Sequence, residues 1–377
     1  MLRLHRHGKI EIRSTLPLTQ KTLPLVYTPG VAEVCREISQ HPQKVFEYTT
    51  KGNSVAIVTD GSRVLGLGNI GAEASLPVME GKALLFKELA QIDAFPLCLN
   101  TQNSQEIIDT VRFIAPSFGG INLEDIATPR CFEIEDALQD LGIPVLHDDQ
   151  HGTAIAVLAG LINACLVTKK RFEDLTVVIN GAGAAGMAIA RLLSCVHTHY
   201  TCKRVHHIVM CDREGIIYRG RPHLTSYKRK LLSFTNKDYL RGSLLAALNH
   251  ADVFIGVSTG KALHQDMIRA MNTQPIIFAL ANPTPEIMPS EAYHAGAAIV
   301  ATGRSDFPNQ INNALVFPGF FRGLLDSGAS HVTEKMKISA AYALAQTLRK
   351  PQKNRILPSL FDTRVVKNIA RAVMNAA

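Results

Sequence analysis

The sequence lacks the features that would place the chain in a membrane or in an oxidising compartment. No apolar run approaches the roughly 18 residues that a membrane-spanning helix requires. The basic N-terminus has no apolar segment of the kind that marks a secretory signal. The seven cysteines form no C-x-x-C pair, so we expect free thiols in a reduced, cytoplasmic chain. The sequence also contains neither an internal repeat nor a low-complexity segment.

The charge of the chain is positive but thinly spread. The formal net charge is +8, which could indicate a nucleic-acid-binding protein. The basic residues lie in short runs at 169–171, 228–230 and 349–355, without interleaved aromatic residues or a nucleic-acid-binding motif. We therefore expect no nucleic-acid partner and no membrane partner. We interpret the basic residues as lying in solvated loops, where their charge attracts small anions in general.

The order of the predicted elements indicates an α/β protein. At 377 residues the chain is long enough for two or three domains. Strands that alternate with helices indicate parallel sheets covered on both faces. The predicted strands lie at 54–59, 94–99, 119–123, 143–146, 175–180, 205–211, 253–257, 276–280 and 298–301, and the predicted helices at 31–47, 83–89, 105–114, 129–141, 153–166, 186–193, 331–349 and 364–376.

We place the boundary between two domains at the acidic pair Asp148-Asp149. Residues 1–147 would form a three-layer, parallel-sheet domain for substrate and metal, and residues 148–312 a Rossmann-type NAD(P)-binding domain. Residues 313–377 would return as helices to pack on the first domain. We expect one exception to the parallel pattern, a hairpin in which 54–59 pairs with 64–68.

A glycine-rich loop between a predicted strand and a predicted helix indicates a dinucleotide site. The loop reads Gly181-Ala182-Gly183-Ala184-Ala185-Gly186. Gly181 permits the tight turn, Gly183 lets the backbone approach a diphosphate, and Gly186 allows close helix–strand packing. The diphosphate would lie at the helix N-terminus, where free N–H groups favour anions. The alternative is a tight turn without a ligand.

The residues after the next strand leave the choice of cofactor open. Asp212 ends that strand and would bind the ribose hydroxyls of NAD. The neighbouring Arg213 could instead accept the 2′-phosphate of NADP. We therefore expect either NAD or NADP as the cofactor.

Two pairs of acidic residues follow neighbouring predicted strands, Glu124-Asp125 and Asp148-Asp149. The carboxyl ends of parallel strands share one edge of a sheet, where ligands gather. Glu124, Asp125 and Asp149 offer hard oxygen ligands that suit Mg²⁺ or Mn²⁺. Adjacent residues of a strand point to opposite faces, so Glu124 and Asp125 can share an ion only if the strand has ended before them. The alternative, capping of the next helix, stays open for Asp149.

Residues beside the two acidic pairs have simpler interpretations. Thr128 is expected to cap the helix in which Pro129 takes the first position. That cap weakens the capping alternative for Asp125. His147 and His151 are expected either to support the metal ligands from behind or to be structural, because a hard cation prefers oxygen ligands.

Seven stretches of the sequence, between about residues 20 and 335, resemble the malic enzyme family in its small prokaryotic form. They are LVYTPGVAEVCREI, VAIVTDGSRVLGLGNIGAEASLPVMEGKALLFK, GGINLEDIATPRCFEIE, HDDQHGTAIAVLAGLINA, VVINGAGAAGMAIA, FALANPTPEIMP and ATGRSDFPNQINNALVFPGFFRG. The resemblance implies oxidative decarboxylation of L-malate to pyruvate and CO₂ by a homodimer with NAD or NADP and Mg²⁺ or Mn²⁺. The chain ends without the acyltransferase-like extension of some relatives, so only the basic activity is expected.

The resemblance also implies roles for individual residues. Tyr27 would be the general acid, and Lys82, with a lowered pKa, the general base. The remaining matches are Glu124, Asp125 and Asp149 as metal ligands, Asp148 beside the reacting hydroxyl, Arg63, Asn282 and Asn313 at the substrate carboxylates, and Asn282 also at the cofactor. Asn69 stands where many relatives carry Asp, and we infer no loss of activity from it.

From the residues alone, each of these side chains has an ordinary alternative. Tyr27 could be a packed loop aromatic, Lys82 and Arg63 could be solvated, and the asparagines could form turns. Two alternative functions also stay open. A malolactic-type lyase would convert malate to lactate and CO₂ with retained NAD, using nearly the same residues. A catalytically silent protein would bind NAD(P) without turnover.

Overall fold

Two parallel sheets form the framework of the chain. A computed structural model describes residues 2–64, 66–195 and 202–377. The first sheet has the order β2-β1-β3-β4 and is parallel throughout. Its strands are β1 (Ser54–Thr59), β2 (Asp93–Cys98), β3 (Gly120–Leu123) and β4 (Val145–His147). The strand order reverses between β1 and β3, the point of a parallel sheet where ligands commonly bind.

The second sheet has the order β10-β9-β8-β5-β6-β7. All its pairs are parallel except the short β7, which runs antiparallel to β6. Its strands are β5 (Thr176–Asn180), β6 (His207–Asp212), β7 (Gly215–Ile216), β8 (Val253–Gly256), β9 (Ile276–Ala279) and β10 (Ile299–Thr302). The predicted α/β class with a Rossmann-type nucleotide-binding sheet is confirmed.

Helices cover both sheets. They are α1 (Leu23–Val26), α2 (Val31–Gln40), α3 (Val45–Tyr48), α4 (Ala72–Ala90), α5 (Ser104–Ile114), α6 (Arg130–Ala137), α7 (Asp148–Thr168), α8 (Ala184–Leu193), α9 (Ser226–Leu231), α10 (Leu244–Leu248), α11 (Gln265–Arg269), α12 (Pro289–His294), α13 (Phe317–Ser327), α14 (Glu334–Thr347) and α15 (Arg364–Met374). One large apolar core joins the first sheet, α7, α8 and the C-terminal helices, and a smaller one lies on the outer side of the second sheet.

The predicted hairpin at 54–68 is wrong. Every residue of β1 is buried, and β1 pairs in parallel with β2 and β3 on either side. A strand with a parallel neighbour at each edge has no free edge for a hairpin partner. Val64 and Gly68 meet each other in an isolated bridge instead, and Leu65 of the predicted partner strand lies outside the described residues.

Helix α4 is longer than the predicted segment 83–89, which places Lys82 in the middle of the helix and not at its start. Pro77 and Gly81 suggested a break in the sequence, but the helix continues through both. Buried residues recur along it at Met79, Ala83, Phe86 and Ala90, the spacing of one helix face packed on a core. Packing of this face therefore outweighs the local preference of proline and glycine.

Helix α7 begins at Asp148, five residues before the predicted start, so the acidic pair occupies its first turn. In the described part of the chain, α7 is the one helix whose length and apolar composition would suffice to cross a membrane, contrary to the expectation that no such run exists. Of its most apolar window, 72% is buried inside the protein. It is a core helix that packs on α8 and α14.

The segment before α6 also differs from its prediction. The Thr128–Pro129 peptide bond is cis, α6 begins at Arg130, and Thr128 does not cap it, because no side chain bonds to its first turn. α6 ends at Ala137, earlier than the predicted 141.

The expectation that all seven cysteines are free thiols is wrong for one pair. Cys195 and Cys202 form a disulfide, with their Cα atoms 6.1 Å apart. A spacing of seven residues is not a recognisable disulfide motif, so this pairing could not be predicted from the sequence. Cys35, Cys98, Cys131, Cys165 and Cys211 are free.

The C-terminal helices return to the first half of the chain. α13 packs on α4 and β3, while α14 packs on α7, and α15 packs on both α13 and α14. Asn163 of α7 donates hydrogen bonds to the carbonyl oxygens of Ala345 and Ile356. Helix α4 and β3 belong to the predicted first domain, whereas α7 lies beyond the predicted boundary at 147/148. The return of residues 313–377 to the first domain and the boundary itself therefore stay predictions.

Candidate active site

A cleft of about 1300 Å³ lies between the carboxyl ends of the two sheets. It collects ten of the residues predicted to form a site, from elements far apart in the sequence. They are Arg63, Lys82, Glu124, Asp125, Asp149, Gly183, Ala184, Ala185, Asn282 and Asn313. The cleft therefore unites the predicted lysine and acidic residues with the middle of the glycine loop.

Lys82 is buried at the centre of a charged cluster, with 6% of its surface exposed. Its Nζ lies 2.6 Å from Glu124 Oε2, contacts Asp148 Oδ2, and lies 4.2 Å from the centre of the Phe317 ring. Burial alone would lower the pKa of Lys82, but Asp148 and Glu124 outweigh it and raise the pKa above its ordinary value. The expectation of a lowered pKa is wrong for this arrangement, because the lysine has two buried anionic neighbours.

Asp148 points from the first turn of α7 into this cluster. Its Oδ2 accepts hydrogen bonds from Lys82 and, at 2.7 Å, from Asn313 Nδ2. Its Oδ1 is buried and has no hydrogen-bond partner in the part of the chain that the structure describes. Burial raises the pKa of Asp148, and Lys82 opposes the shift. The aspartate thus keeps one unsatisfied oxygen in a low-dielectric position.

Glu124 is a second buried carboxylate of the cluster, and Asp149 beside it is partly exposed. Glu124 accepts a 2.9 Å hydrogen bond from the fully buried Asn122, and Asp149 accepts one of 2.8 Å from the backbone N–H of Asp125. Burial raises the pKa of both, against the opposing charge of Lys82. Asp149 is a helical residue of α7 and not its N-cap, so the capping alternative for it is wrong.

The donor set of the cleft fits a hard divalent cation. β3 ends at Leu123, and Asp125 adopts a left-handed backbone conformation with φ of 52°. Glu124 and Asp125 are therefore not strand residues, and their side chains need not point to opposite faces of the sheet. Buried carboxylates and the unsatisfied Asp148 Oδ1 favour positive charge there. In residues 2–64, 66–195 and 202–377, however, no three His, Cys, Asp or Glu side chains are already arranged around one point.

His147 and His151 take positions that fit a structural role. His147 is fully buried, and burial lowers its pKa to about 4, which keeps the ring neutral. His151 contacts the carboxylate of Glu135 on α6, with Nε2 3.0 Å from Oε1 and 3.1 Å from Oε2. Burial alone would raise the pKa of Glu135, but contacts including His151 lower it to about 2, so this carboxylate is ionised.

The glycine loop has the geometry that close approach of a dinucleotide requires. Gly181 has a φ of +128°, and a Cβ atom on Gly186 would collide with the carbonyl oxygen of Gly181. At Gly183 the nearest atom to an added Cβ is Arg63 Nη1, 3.8 Å away. Gly183 directly precedes α8, so free N–H groups and an arginine side chain are present on the cleft side of the loop. Ala182 and Gly186 complete the loop without lining the cleft.

A buried glutamate holds the loops opposite the glycine loop. Glu286 is 0% exposed and accepts the backbone N–H groups of Ser258, at 3.3 Å, and Ala281, at 3.1 Å. Ser258 follows β8 and Ala281 follows β9, and both line the cleft beside Asn282. Burial raises the pKa of Glu286 to about 7, opposed only by backbone N–H groups. The glutamate therefore ties two cleft loops together.

Asp212 lies at the end of β6 but does not line the cleft. Its carboxylate accepts hydrogen bonds from Arg221 and, at 2.6 Å, from Lys228 Nζ. Burial would raise the pKa of Asp212, but these two cations lower it to about 2. Asp212 is thus an ion-paired carboxylate whose charge is already compensated, a feature that spacing along the sequence did not predict.

Tyr27 is not brought to the cleft by its own chain. It follows the short α1, and 66% of its surface is exposed. Neither α1 nor α2 contains a buried residue. Large apolar side chains nearby, such as Leu16, Leu18 and Leu25, are also mostly exposed. This N-terminal segment presents an apolar surface that the single chain leaves uncovered.

Sequence reasoning missed Asn122, Glu135 and Phe317, all of which contact residues of the site. A signal existed only for Glu135. It occupies the buried face of α6 together with Cys131, Ile134 and Leu138, and an acid at an apolar helical spacing indicates a buried, partnered carboxylate.

Two family models together match almost the whole chain. The model described as "Malic enzyme, N-terminal domain" matches residues 7–139, and the one described as "Malic enzyme, NAD binding domain" matches residues 150–377.

Individual proteins are similar over the same length. The chain is 52% identical to the bifunctional malic/malolactic enzyme of Bacillus subtilis, covering 100% of this chain and 92% of that protein. It is 47% identical to the NADP-dependent malic enzyme of Rhizobium meliloti, covering 99% of this chain and 50% of that protein. The crystal structure of the NAD-dependent malic enzyme from Thermotoga maritima superimposes with a TM-score of 0.95 at 47% identity, covering 100% of this chain and 99% of that one.

Proposed function

The chain belongs to the malic enzyme family, and on this premise we propose that it oxidatively decarboxylates L-malate to pyruvate and CO₂ while reducing NAD⁺ or NADP⁺. The observation that supports this most directly is the position of Lys82. It lies buried between Glu124 and Asp148, in the same cleft as the glycine loop. A proton-transferring group and a hydride acceptor can therefore meet one small substrate.

The cleft offers complementary contacts for a dicarboxylate. Arg63, Asn282 and Asn313 line it, and we propose that they bind the two carboxylates of malate. Arg63 is the cationic member, and its guanidinium approaches the glycine loop. Asn313 also donates to Asp148, which would link substrate position to the acidic cluster.

Lys82 and Asp148 would carry the first proton transfer. Lys82, as a neutral amine, would accept the proton of the C2 hydroxyl of malate, and a nicotinamide cofactor, when bound, would supply the hydride acceptor. Lys82 must be neutral for this step, whereas Glu124 and Asp148 favour its ammonium form. Any reduction of the negative charge on these carboxylates lowers the pKa of Lys82 towards the range of a base.

We propose that turnover depends on Mg²⁺ or Mn²⁺ held by Glu124, Asp125 and Asp149. When bound, such an ion polarises the oxygen on C2 and stabilises negative charge that develops there. The raised pKa values of the buried Glu124 and the partly exposed Asp149 support a site for positive charge. Metal removal with a chelator should abolish turnover, and activity that survives exhaustive chelation would contradict this part of the proposal.

The proposed general acid, Tyr27, is absent from the cleft of a single chain. After CO₂ leaves, C3 of the enol must be protonated, and Tyr27 is the residue proposed for this step. Because Tyr27 is exposed and outside its own cleft, it can act only if a second copy of the chain supplies it. The exposed apolar N-terminal segment supports a homodimer. A monomer by light scattering at assay concentration, with full activity, would exclude this role.

The proposal is tested by a spectrophotometric assay with malate and Mn²⁺, run in parallel with NAD⁺ and NADP⁺. Growth of absorbance at 340 nm with equimolar pyruvate supports oxidative decarboxylation, and the ratio of the two rates gives the cofactor preference. Asp212 is compensated by Arg221 and Lys228, so it does not present a bare negative charge to a 2′-phosphate. Both cofactors should therefore be tested over a range of concentrations.

A second function is favoured by one comparison, the 52% identity with a bifunctional malic/malolactic enzyme. In that reaction NADH would stay bound and reduce pyruvate to lactate. Lactate formation without accumulation of free NADH would support the lyase and contradict the oxidative reaction. Binding of NAD(P) without any turnover would leave only a cofactor-binding role.

A further inference from the structure

One carboxylate outside the cleft binds both sides of the turn that carries Asp148 and Asp149. Glu135 of α6 is buried. Its Oε1 accepts the backbone N–H of His147 at 2.8 Å, and its Oε2 accepts the side-chain amide of Gln150 at 2.8 Å. His151 contacts the same carboxylate at about 3 Å. The donors precede and follow the two aspartates, so Glu135 holds the turn at both ends.

Helix α7 has no capping side chain of its own. His147 precedes its first turn without a side-chain hydrogen bond to it. The two acids of that turn bond elsewhere, Asp148 to Lys82 and Asn313, and Asp149 to the N–H of Asp125. A helix N-terminus is stabilised by a nearby negative charge. Asp148 and Asp149 supply such charge within the first turn, and Glu135 adds a further carboxylate from a neighbouring helix.

We propose that Glu135 is a positioning residue, which fixes the junction of β4 and α7 so that Asp148 and Asp149 point into the cleft. This inference rests on the proposed roles of the two aspartates. Glu135 itself does not line the cleft. It lines a separate cavity of about 250 Å³ behind the junction, together with Gln150 and His151, and acts on the cleft only through the turn that it binds.

The variants Glu135→Ala and Glu135→Gln remove this anchor to different extents. Alanine leaves the N–H of His147 and the amide of Gln150 without their acceptor. Glutamine keeps one oxygen for the N–H of His147 but replaces the second acceptor by a donor. If the role is positioning, glutamine should restore part of what alanine loses.

The same cavity wall provides a matched control. Glu334 of α14 also lines the cavity and forms a 2.7 Å ion pair with Lys337. No hydrogen bond or ion pair of Glu334 with residues 147–151 is present in the described chain. Glu334→Gln therefore removes the charge of a carboxylate on the same wall without removing any hydrogen bond of the turn that carries Asp148 and Asp149.

The test measures the dissociation constants of Mn²⁺, by electron paramagnetic resonance, and of NAD⁺, by calorimetry, and then kcat and KM for malate. Partners that orient metal ligands typically change metal affinity or activity 10- to 100-fold when they are removed. We expect Glu135→Ala to weaken Mn²⁺ binding at least about 10-fold, Glu135→Gln to fall between this value and the unmodified chain, and NAD⁺ binding to change less than about twofold. Glu334→Gln should leave all constants within about twofold.

Two results would overturn the proposal: Mn²⁺ constants of both Glu135 variants equal to that of the unmodified chain, or an equal loss in Glu334→Gln. If Glu135→Ala fails to fold by circular dichroism, Glu135→Gln decides alone, and unchanged Mn²⁺ binding in it counts against the proposal. The Mn²⁺ titration does not depend on turnover. An unmodified chain that binds Mn²⁺ but does not oxidise malate would reject the proposed function and leave Glu135 to be judged on its own constants. An unmodified chain that binds no Mn²⁺ would reject both.

Discussion

The glutamate that ties two loops of the cleft together should make the stability of the protein depend on pH. Glu286 is fully buried, and within the described residues its carboxylate accepts hydrogen bonds only from backbone N–H groups, those of Ser258, Ala281 and its own residue. Burial raises its pKa to about 7 from an ordinary value of 4.5. The unfolded chain therefore releases the proton at lower pH than the folded chain does, and stability is lost as the pH rises through about 7.

The magnitude follows from the two pKa values. With about 4.5 in the unfolded chain and about 7 in the folded chain, ionisation of Glu286 disfavours the folded state by about 1 kcal/mol at pH 5 and about 3 kcal/mol at pH 8. The unmodified protein should thus lose roughly 2 kcal/mol between these pH values relative to Glu286→Gln, whose amide does not titrate. The variant also loses an acceptor for a backbone N–H, but that loss is the same at every pH.

The assay is urea unfolding followed by circular dichroism at pH 5, 6, 7 and 8, with free energies from linear extrapolation. Subtracting the variant from the unmodified protein at each pH removes the contribution of every other titrating group. Glu334→Gln serves as the control, because burial is outweighed there by Lys337, which lowers the pKa of Glu334. Its difference should be constant from pH 5 to pH 8. A constant difference for Glu286→Gln would refute the reasoning, since it would mean an ordinary pKa for a carboxylate without a cationic partner.

Two further predictions concern the cleft itself. Lys82→Ala should reduce kcat for malate by at least about 100-fold, the contribution typical of a proton-transfer group, and should change the dissociation constant of NAD⁺ by less than about twofold. The absorbance assay measures the first quantity and calorimetry the second. Near-normal turnover would show that Lys82 is not the base. Gly186→Ala should weaken NAD⁺ binding strongly and lower the melting temperature, because its Cβ atom would collide with the carbonyl oxygen of Gly181. An unchanged dissociation constant of NAD⁺ would contradict the close packing of the glycine loop on α8.

Features with a local cause were predicted well from the sequence. The glycine loop requires only a strand, a turn and a helix in succession, and all three lie within residues 176–193. The acidic pairs follow β3 and β4, and parallel pairing of these strands brings them to one edge. Alternation of strands and helices was also sufficient for the fold class.

Features that depend on distant partners were not predicted. The raised pKa of Lys82 is caused by Glu124 and Asp148, which belong to other elements. No capping side chain within the segment marks the start of α7 at Asp148, and the carboxylate that accepts the N–H of His147 there, Glu135, belongs to another helix. For Tyr27 the motif was recognisable, but the position of the side chain was not predicted. Its own chain leaves it exposed.

Helix α7 is one continuous helix that connects the cleft to the C-terminal part of the chain. Its 21 residues extend about 31 Å at 1.5 Å per residue. Asn163, which is bonded to Ala345 and Ile356, lies about 22 Å along the axis from Asp148. A tilt of about 3° around that anchor would move Asp148 by about 1 Å, a displacement that can change a reaction rate about 100-fold. Substitutions at the far end of this helix, remote from every charged group of the cleft, can therefore tune the chemistry as effectively as substitutions beside the substrate.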